Sequence, residues 1–194
     1  MEAPSDKKGE RMMQGVQETP FVELKHISKS FPGVKVLEDI SIPFYRGKVH
    51  VLLGENGAGK STIIKMISGI YQPDEGEVLI EGKNEHLTNI RQARKFGISV
   101  IHQELSVIDD LRVYENVFLG RELKSGGFVD AARMIRETKE LMEAIEIDID
   151  PKAYIRDLNN GAKQMVEIVR AVSQNSRMVI MDEPTSSLSD HEVQ

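Results

Sequence analysis

Eight consecutive residues, Gly54-Glu55-Asn56-Gly57-Ala58-Gly59-Lys60-Ser61, place glycine, lysine and a hydroxyl at the spacing GxxxxGK[ST]. Glycines in such a loop let successive backbone N–H groups converge on an anion, and a helix starting at its end adds a favourable dipole. Lys60 would bring a cation to the β and γ phosphates of a nucleotide, and Ser61 a hydroxyl to Mg²⁺. A simple glycine turn has no need of lysine and serine at those offsets. A second constellation is the apolar run Met178-Val179-Ile180-Met181 followed by Asp182 and Glu183. It puts two carboxylates at the C-terminal end of a buried strand, where open α/β sheets bind ligands. Alone, such a pair reads as a solvated turn. With a phosphate loop upstream, Asp182 is assigned to Mg²⁺ and Glu183 to the general base that directs water at the γ-phosphate.

These groups need a scaffold. Phe21 to Ile27 alternates as a strand, Pro32-Gly33 marks a turn, and Val49-His50-Val51-Leu52-Leu53 reads as a short strand buried on both faces, running straight into the glycine loop. Thr62 to Ser68 follows as a helix with Ile63, Ile64 and Ile67 inward and Gly69 past its C-terminus. Strand, loop and helix in that order are the context a phosphate loop requires. Asp74-Glu75-Gly76 is expected to turn into a strand over Glu77 to Glu81, and Ile98 to Ile101 is a further apolar run. From Asp109 to Asp157 the pattern becomes helical. Asp130 is placed to cap a helix whose Ala131, Met134, Ile135, Leu141, Met142 and Ile145 repeat at helical spacing, and a last helix runs from Gly161 to Ser173 with Met165, Ile168, Val169 and Val172 on one face. The methionines in these stripes are core residues. No internal repeat or low-complexity segment is visible.

The 194 residues are 40% apolar, enough to bury a core in one domain or in one with a small subdomain. A net charge of −6 with no basic block argues against nucleic acid or an anionic lipid surface as partner. Arg91, Arg94 and Lys95 read as a solvated helix face. With no cysteine there is neither a disulfide framework nor a thiolate metal site, and a reducing cytoplasm is compatible. His26, His50, His86, His102 and His191 lack metal-ligand spacing. Residues 1 to 20 are polar and charged throughout, with no signal-peptide core, and are expected to be a disordered extension; no run is long enough to span a bilayer.

Taken with Ile101-His102-Gln103-Glu104, Met181-Asp182-Glu183-Pro184-Thr185-Ser186 and Ser187-Leu188-Ser189-Asp190, the phosphate loop gives a sequence that resembles the ATPase subunit of ATP-binding cassette transporters from Phe21 to Gln194. These segments resemble that family's Q-loop, Walker B region and D-loop. The resemblance implies an α/β fold: a P-loop NTPase core with a mainly parallel sheet, an N-terminal antiparallel β subdomain and an inserted helical subdomain at about 104–173, incomplete at the C-terminus. It implies ATP and Mg²⁺ as cofactors. It gives Gln103 a role in sensing Mg²⁺ and the attacking water, Phe31 the role of stacking on adenine, Val36 that of the apolar wall beside it, and Thr62 a place at the end of the nucleotide site. Gln103-Glu104-Leu105-Ser106 and Tyr114 to Glu122 further resemble the first of two tandem cassettes in bacterial importers of monosaccharides such as ribose, galactose or xylose. That implies permease subunits as partners, gripped through Leu105 to Glu122, a second cassette paired head to tail, an indirect link to a sugar-binding protein, and a peripheral position on the cytoplasmic face of the membrane. The apolar residues of Leu105 to Glu122 serve equally well as internal core.

Two departures stand out. The signature, usually Leu-Ser-x-Gly-Gln, is Leu158-Asn159-Asn160-Gly161-Ala162, and the sequence stops at Gln194, before the family's switch histidine, His191 lying too close to Glu183 to be that residue. Asn159 and Gly161 are the signature residues expected to face a partner's nucleotide. The expectation is the ATP-binding and hydrolysing part of a sugar importer. The rivals are a non-hydrolysing ATP-binding module, favoured by the altered signature, and a DNA-repair or chromosome-organising ATPase, which would need a long coiled coil where only Gln103 to Leu158 lies.

Overall fold

The computed structural model describes residues 18–102 and 105–182, and every structural statement concerns these. Alternating side chains over β1 (Val22–Phe31) put Val22 and Leu24 inward, and the Pro32-Gly33 turn closes a hairpin with β2 (Val34–Phe44), pairing Phe31 with Val34. β3 (Glu75–Ile80) and β4 (Lys83–Asn84) complete an antiparallel sheet in the order β2-β1-β3-β4. Glu75 and Gly76, expected to turn, already belong to β3. The long β2 escaped notice because its pairing with β1 slips register three times and leaves only Leu37 and Phe44 buried along it.

Helix α1 (Lys60–Ile67) lays Ile63, Met66 and Ile67 on this sheet, in one core with Val22, Leu24, Ile27, Leu37, Phe44 and Val78. It ends as expected at Gly69, whose φ of +77° lets its N–H return to the Met66 carbonyl at 2.9 Å. After α2 (Ile90–Lys95), capped by the Asn89 side chain and exposing Arg91, Arg94 and Lys95, comes β5 (Ile98–Ile101). β5 pairs in parallel with β8 (Met178–Met181), residue for residue from Ile98 with Met178 to Ile101 with Met181. Among the described residues these two strands form a separate, parallel sheet.

The expected strand at Val49 to Leu53 is not formed. The segment joins no ladder, and Val49, Val51 and Leu53 are 94%, 70% and 88% exposed, while Leu52 and the His50 ring, against Phe44, touch the core. A continuous apolar run becomes a doubly buried strand only when sheet neighbours and helices cover it. Here no described strand pairs with the run.

A second core is helical. α3 (Val113–Val117), α4 (Ala131–Ala144) and α5 (Asn160–Val172) gather Val113, Val117, Met134, Met142, Val166 and Val169 around Ile155 of a short 3-10 turn at Ile155–Asp157. Asp130 caps α4, its Oδ1 accepting from the Arg133 N–H at 3.0 Å. Asn116 is fully buried, accepting from the Ile108 N–H and donating to the Ile108 and Arg112 carbonyls, so it pins the incoming loop to α3. A small hairpin, β6 (Lys124–Ser125) with β7 (Phe128–Val129), precedes α4; its strands are too short to leave a sequence signal.

Candidate functional site

The glycine loop turns over Asn56-Gly57, the Ala58 N–H bonding back to the Glu55 carbonyl at 3.1 Å, and α1 starts at Lys60. Gly59 precedes it with φ +89° and offers no side chain to cap the helix, so its first N–H groups keep their donors for an anion. Only glycine fits there. A Cβ would stand 2.5 Å from Leu37 Cδ2 and 3.3 Å from the Val36 carbonyl oxygen, on a backbone that L side chains rarely adopt. Gly54 is tight as well, its Cβ position 3.1 Å from that of Ala58. Lys60 folds over the loop, its ammonium donating to the carbonyls of Gly54 at 2.7 Å and Glu55 at 3.0 Å. The cation is thereby held above the loop rather than released to solvent. Ser61 is exposed on the first turn.

A cavity of about 420 Å³ opens here, lined by Asn56, Gly57, Gly59, Lys60, Ser61 and Thr62 at the loop and by Phe31, Val36, Lys65 and Tyr71 beyond it. That volume suits a nucleotide-sized ligand. Phe31 meets Tyr71 edge-on, centroids 5.3 Å apart at 62°, and the Lys65 ammonium lies 5.4 Å from the Tyr71 centroid. The polar end therefore sits on a helix N-terminus and the apolar end against aromatic faces. The structure brings together Phe31, Val36, Asn56, Gly57, Gly59, Lys60, Ser61 and Thr62, all anticipated from sequence. Tyr71 and Lys65 were not. A signal existed for Tyr71: it follows the Gly69 cap by two residues, where the chain must turn back beside the helix it has just left.

Asp182 stands at the end of β8, its N–H donating to the Ile101 carbonyl at 3.1 Å, and is not among the residues lining the cavity. Gln103 and Glu183 lie outside the described residues. Asn159 and Gly161 lie at the start of α5 and do not line this cavity either. The Asn159 Oδ1 accepts from the Ala162 N–H at 2.8 Å, so the altered signature works as an ordinary helix cap. The apolar residues of Leu105 to Glu122 divide: Val113, Val117 and Phe118 are buried in the helical core, while Ile108 and Leu119 are exposed. Among the described residues no group of three or more His, Cys, Asp or Glu could hold a metal ion by itself.

The sequence profile of the ABC transporter family matches residues 37–186. A ribose import ATP-binding protein of Clostridium perfringens is 46% identical over 180 residues, covering 92% of this chain and 36% of that protein. A xylose import ATP-binding protein of Geobacillus kaustophilus is 42% identical over 174 residues, covering 89% of this chain and 34% of that protein. The chain thus spans about a third of the length of such relatives. Among solved structures, the ADP conformation of MJ1267, an ATP-binding cassette of an ABC transporter, superposes with a TM-score of 0.75 at 26% identity over 89% of this chain and 73% of that one. The phosphate loop before an uncapped helix, the antiparallel sheet and the separate helical core therefore have a shared origin: the chain belongs to the ABC transporter family.

Proposed function

We propose that the chain is the nucleotide-binding part of a sugar-import ATPase, binding Mg-ATP in the cavity between the phosphate loop and the Phe31–Tyr71 pair. The observation that carries this reading is the polarity of that one cavity. Free helix N–H groups and Lys60 lie at one end, and the Phe31 and Tyr71 rings at the other. The import half of the reading comes from relatives named for ribose and xylose import. Triphosphate oxygens bind the loop N–H groups and the Lys60 ammonium, which exchanges its carbonyl partners for charged ones. The Ser61 hydroxyl and the Asp182 carboxylate would hold Mg²⁺, which supplies charge neutralisation at the phosphates; one hydroxyl and one carboxylate suit a site completed by nucleotide oxygens. Glu183 takes a proton from water attacking the γ-phosphorus in line, the bond to the bridging oxygen breaks, and ADP leaves. Gln103 holds that water, and residues 104–173 act as the helical subdomain. A second cassette, paired head to tail, presents its signature to this site while Asn159 and Gly161 serve the partner's. Permease subunits hold the protein on the cytoplasmic face of the membrane; no described helix is long and apolar enough to cross it.

Titration calorimetry of the 194-residue chain tests the reading. Mg-ATP should bind, and Lys60→Ala should weaken binding by on the order of 100-fold, the loss of a charged hydrogen-bond donor worth about 2–3 kcal/mol. A folded wild-type chain that binds no nucleotide would sink it.

A further inference from the structure

Glu167 is the most deeply buried acidic side chain among the described residues, 3% exposed on the inner face of α5, and nothing in the nucleotide chemistry uses it. Its Oε1 accepts two bonds from one residue, the Ser106 N–H at 2.8 Å and the Ser106 Oγ at 2.6 Å, and its Oε2 has no hydrogen-bond partner among the described residues. Arg170, one turn on, closes the group: it reaches Glu167 Oε1 at 3.3 Å, the Ser106 carbonyl at 3.2 Å and the Ser106 Oγ at 2.5 Å. Burial pulls the Arg170 guanidinium below its usual pKa, opposed by Glu167 and reinforced by Arg94.

The place of this group matters more than its strength. The chain passes between the two cores twice, outward after β5 and back from α5 to β8. Ser106 is on the outward link and Glu167 on the returning helix. The returning link is also held on either side, by the Ser99 Oγ to Ser176 Oγ bond of 2.6 Å and the Arg121 Nη2 to Ser173 Oγ bond of 2.7 Å. Only the Glu167 tie rests on a buried charge. An apolar side chain would pack there at least as well, since buried ion pairs seldom stabilise more than hydrophobic replacements. What the carboxylate adds is one defined position for the Ser106 backbone. α5, 13 residues and so about 20 Å long, then acts as a stiff lever with Asn159 and Gly161 at one end and the approach to Asp182 at the other.

We propose that Glu167 is a positioning residue: it clamps the outward link at Ser106 to α5, so that displacement of the helical core by the membrane partner reaches the nucleotide site through a hinge of fixed geometry. This rests on the import reading. It is tested in the complete two-cassette protein reconstituted with its permease and sugar-binding protein, by measuring ribose or xylose carried per ATP hydrolysed together with the KM for ATP. Because that ratio does not depend on how much protein folds, a purely structural role leaves it unchanged. Glu167→Ala should lower it about five-fold or more with KM within about two-fold, and Glu167→Gln, which keeps an acceptor for Ser106, should recover at least about half. Ser106→Ala, which loses only the hydroxyl bonds, should lower it about two-fold and stands in if Glu167→Ala fails to fold. A wild-type ratio in Glu167→Ala, or in Ser106→Ala where Glu167→Ala cannot be made, overturns the clamp. A wild-type protein that carries neither sugar overturns the import reading first, and the clamp with it.

Discussion

Two helix starts in this molecule face the same physical problem and resolve it in opposite ways. At α1 the residue before the helix is Gly59, with φ +89° and no side chain, so the first-turn N–H groups are left unpaired beside Lys60 and a 420 Å³ cavity. At α5 it is Asn159, in extended conformation, whose carboxamide oxygen takes the Ala162 N–H at 2.8 Å. Orphan donors at a helix start must be met by something. One start is therefore left open and the other is already satisfied by its own chain, which must give up that bond before another acceptor can use the same donor.

The comparison breaks most readily at Gly59. Gly59→Ala forces a Cβ within 2.5 Å of Leu37 Cδ2 on a left-handed backbone, and should cost on the order of 3 kcal/mol of stability and nearly all Mg-ATP binding, read by thermal denaturation and calorimetry. Wild-type affinity in this variant would mean that the loop conformation does not define the site. A smaller loss is expected at the apolar end. Phe31→Ala should weaken Mg-ATP by about ten-fold, a stacking contribution near 1.4 kcal/mol, while leaving triphosphate alone bound as before. Equal losses for both ligands would move Phe31 from the base to the scaffold.

At the second helix start the roles reverse. Asn159→Ala should cost about 1 kcal/mol, a fall of about 2–4 °C in Tm, with Mg-ATP affinity of the chain unchanged; Asn159→Asp should restore the cap. A change in affinity without one in Tm would contradict the assignment of Asn159 as a self-satisfied cap. Smallest of all should be Asn159→Ser with Ala162→Gln in the complete protein, where ATP hydrolysis is expected to stay within about two-fold of wild type, since serine caps as asparagine does. A large rise would show that the altered signature limits turnover.

The phosphate loop was legible because its chemistry is local. Gly54 to Ser61 needs only glycine, lysine and hydroxyl at fixed offsets, and the helix that completes it begins within the same motif. The Asp130 and Gly69 helix ends were legible for the same reason. Tyr71 was legible only in part, because the Gly69 cap marks where the chain leaves α1 while no periodicity records that it returns beside Lys65 and Phe31. β2 was hidden by its register slips. Val49 to Leu53 misled in the other direction: its apolar run is the signature of a doubly covered strand, but covering a strand is the work of residues elsewhere in the chain, and among those described none does it.

By itself, the sequence determined what depends on short-range chemistry: a glycine loop that runs into a helix at Lys60, a carboxylate at the end of an apolar strand, and the helix ends at Gly69 and Asp130. The tertiary structure alone decided which distant groups meet. Tyr71 comes edge-on to Phe31 across 40 residues, and the Glu167 carboxylate receives Ser106 across 61. Such pairings follow from how two cores are set beside each other, and that arrangement is fixed by the summed burial of many side chains, none of which names its partner in the order of the chain.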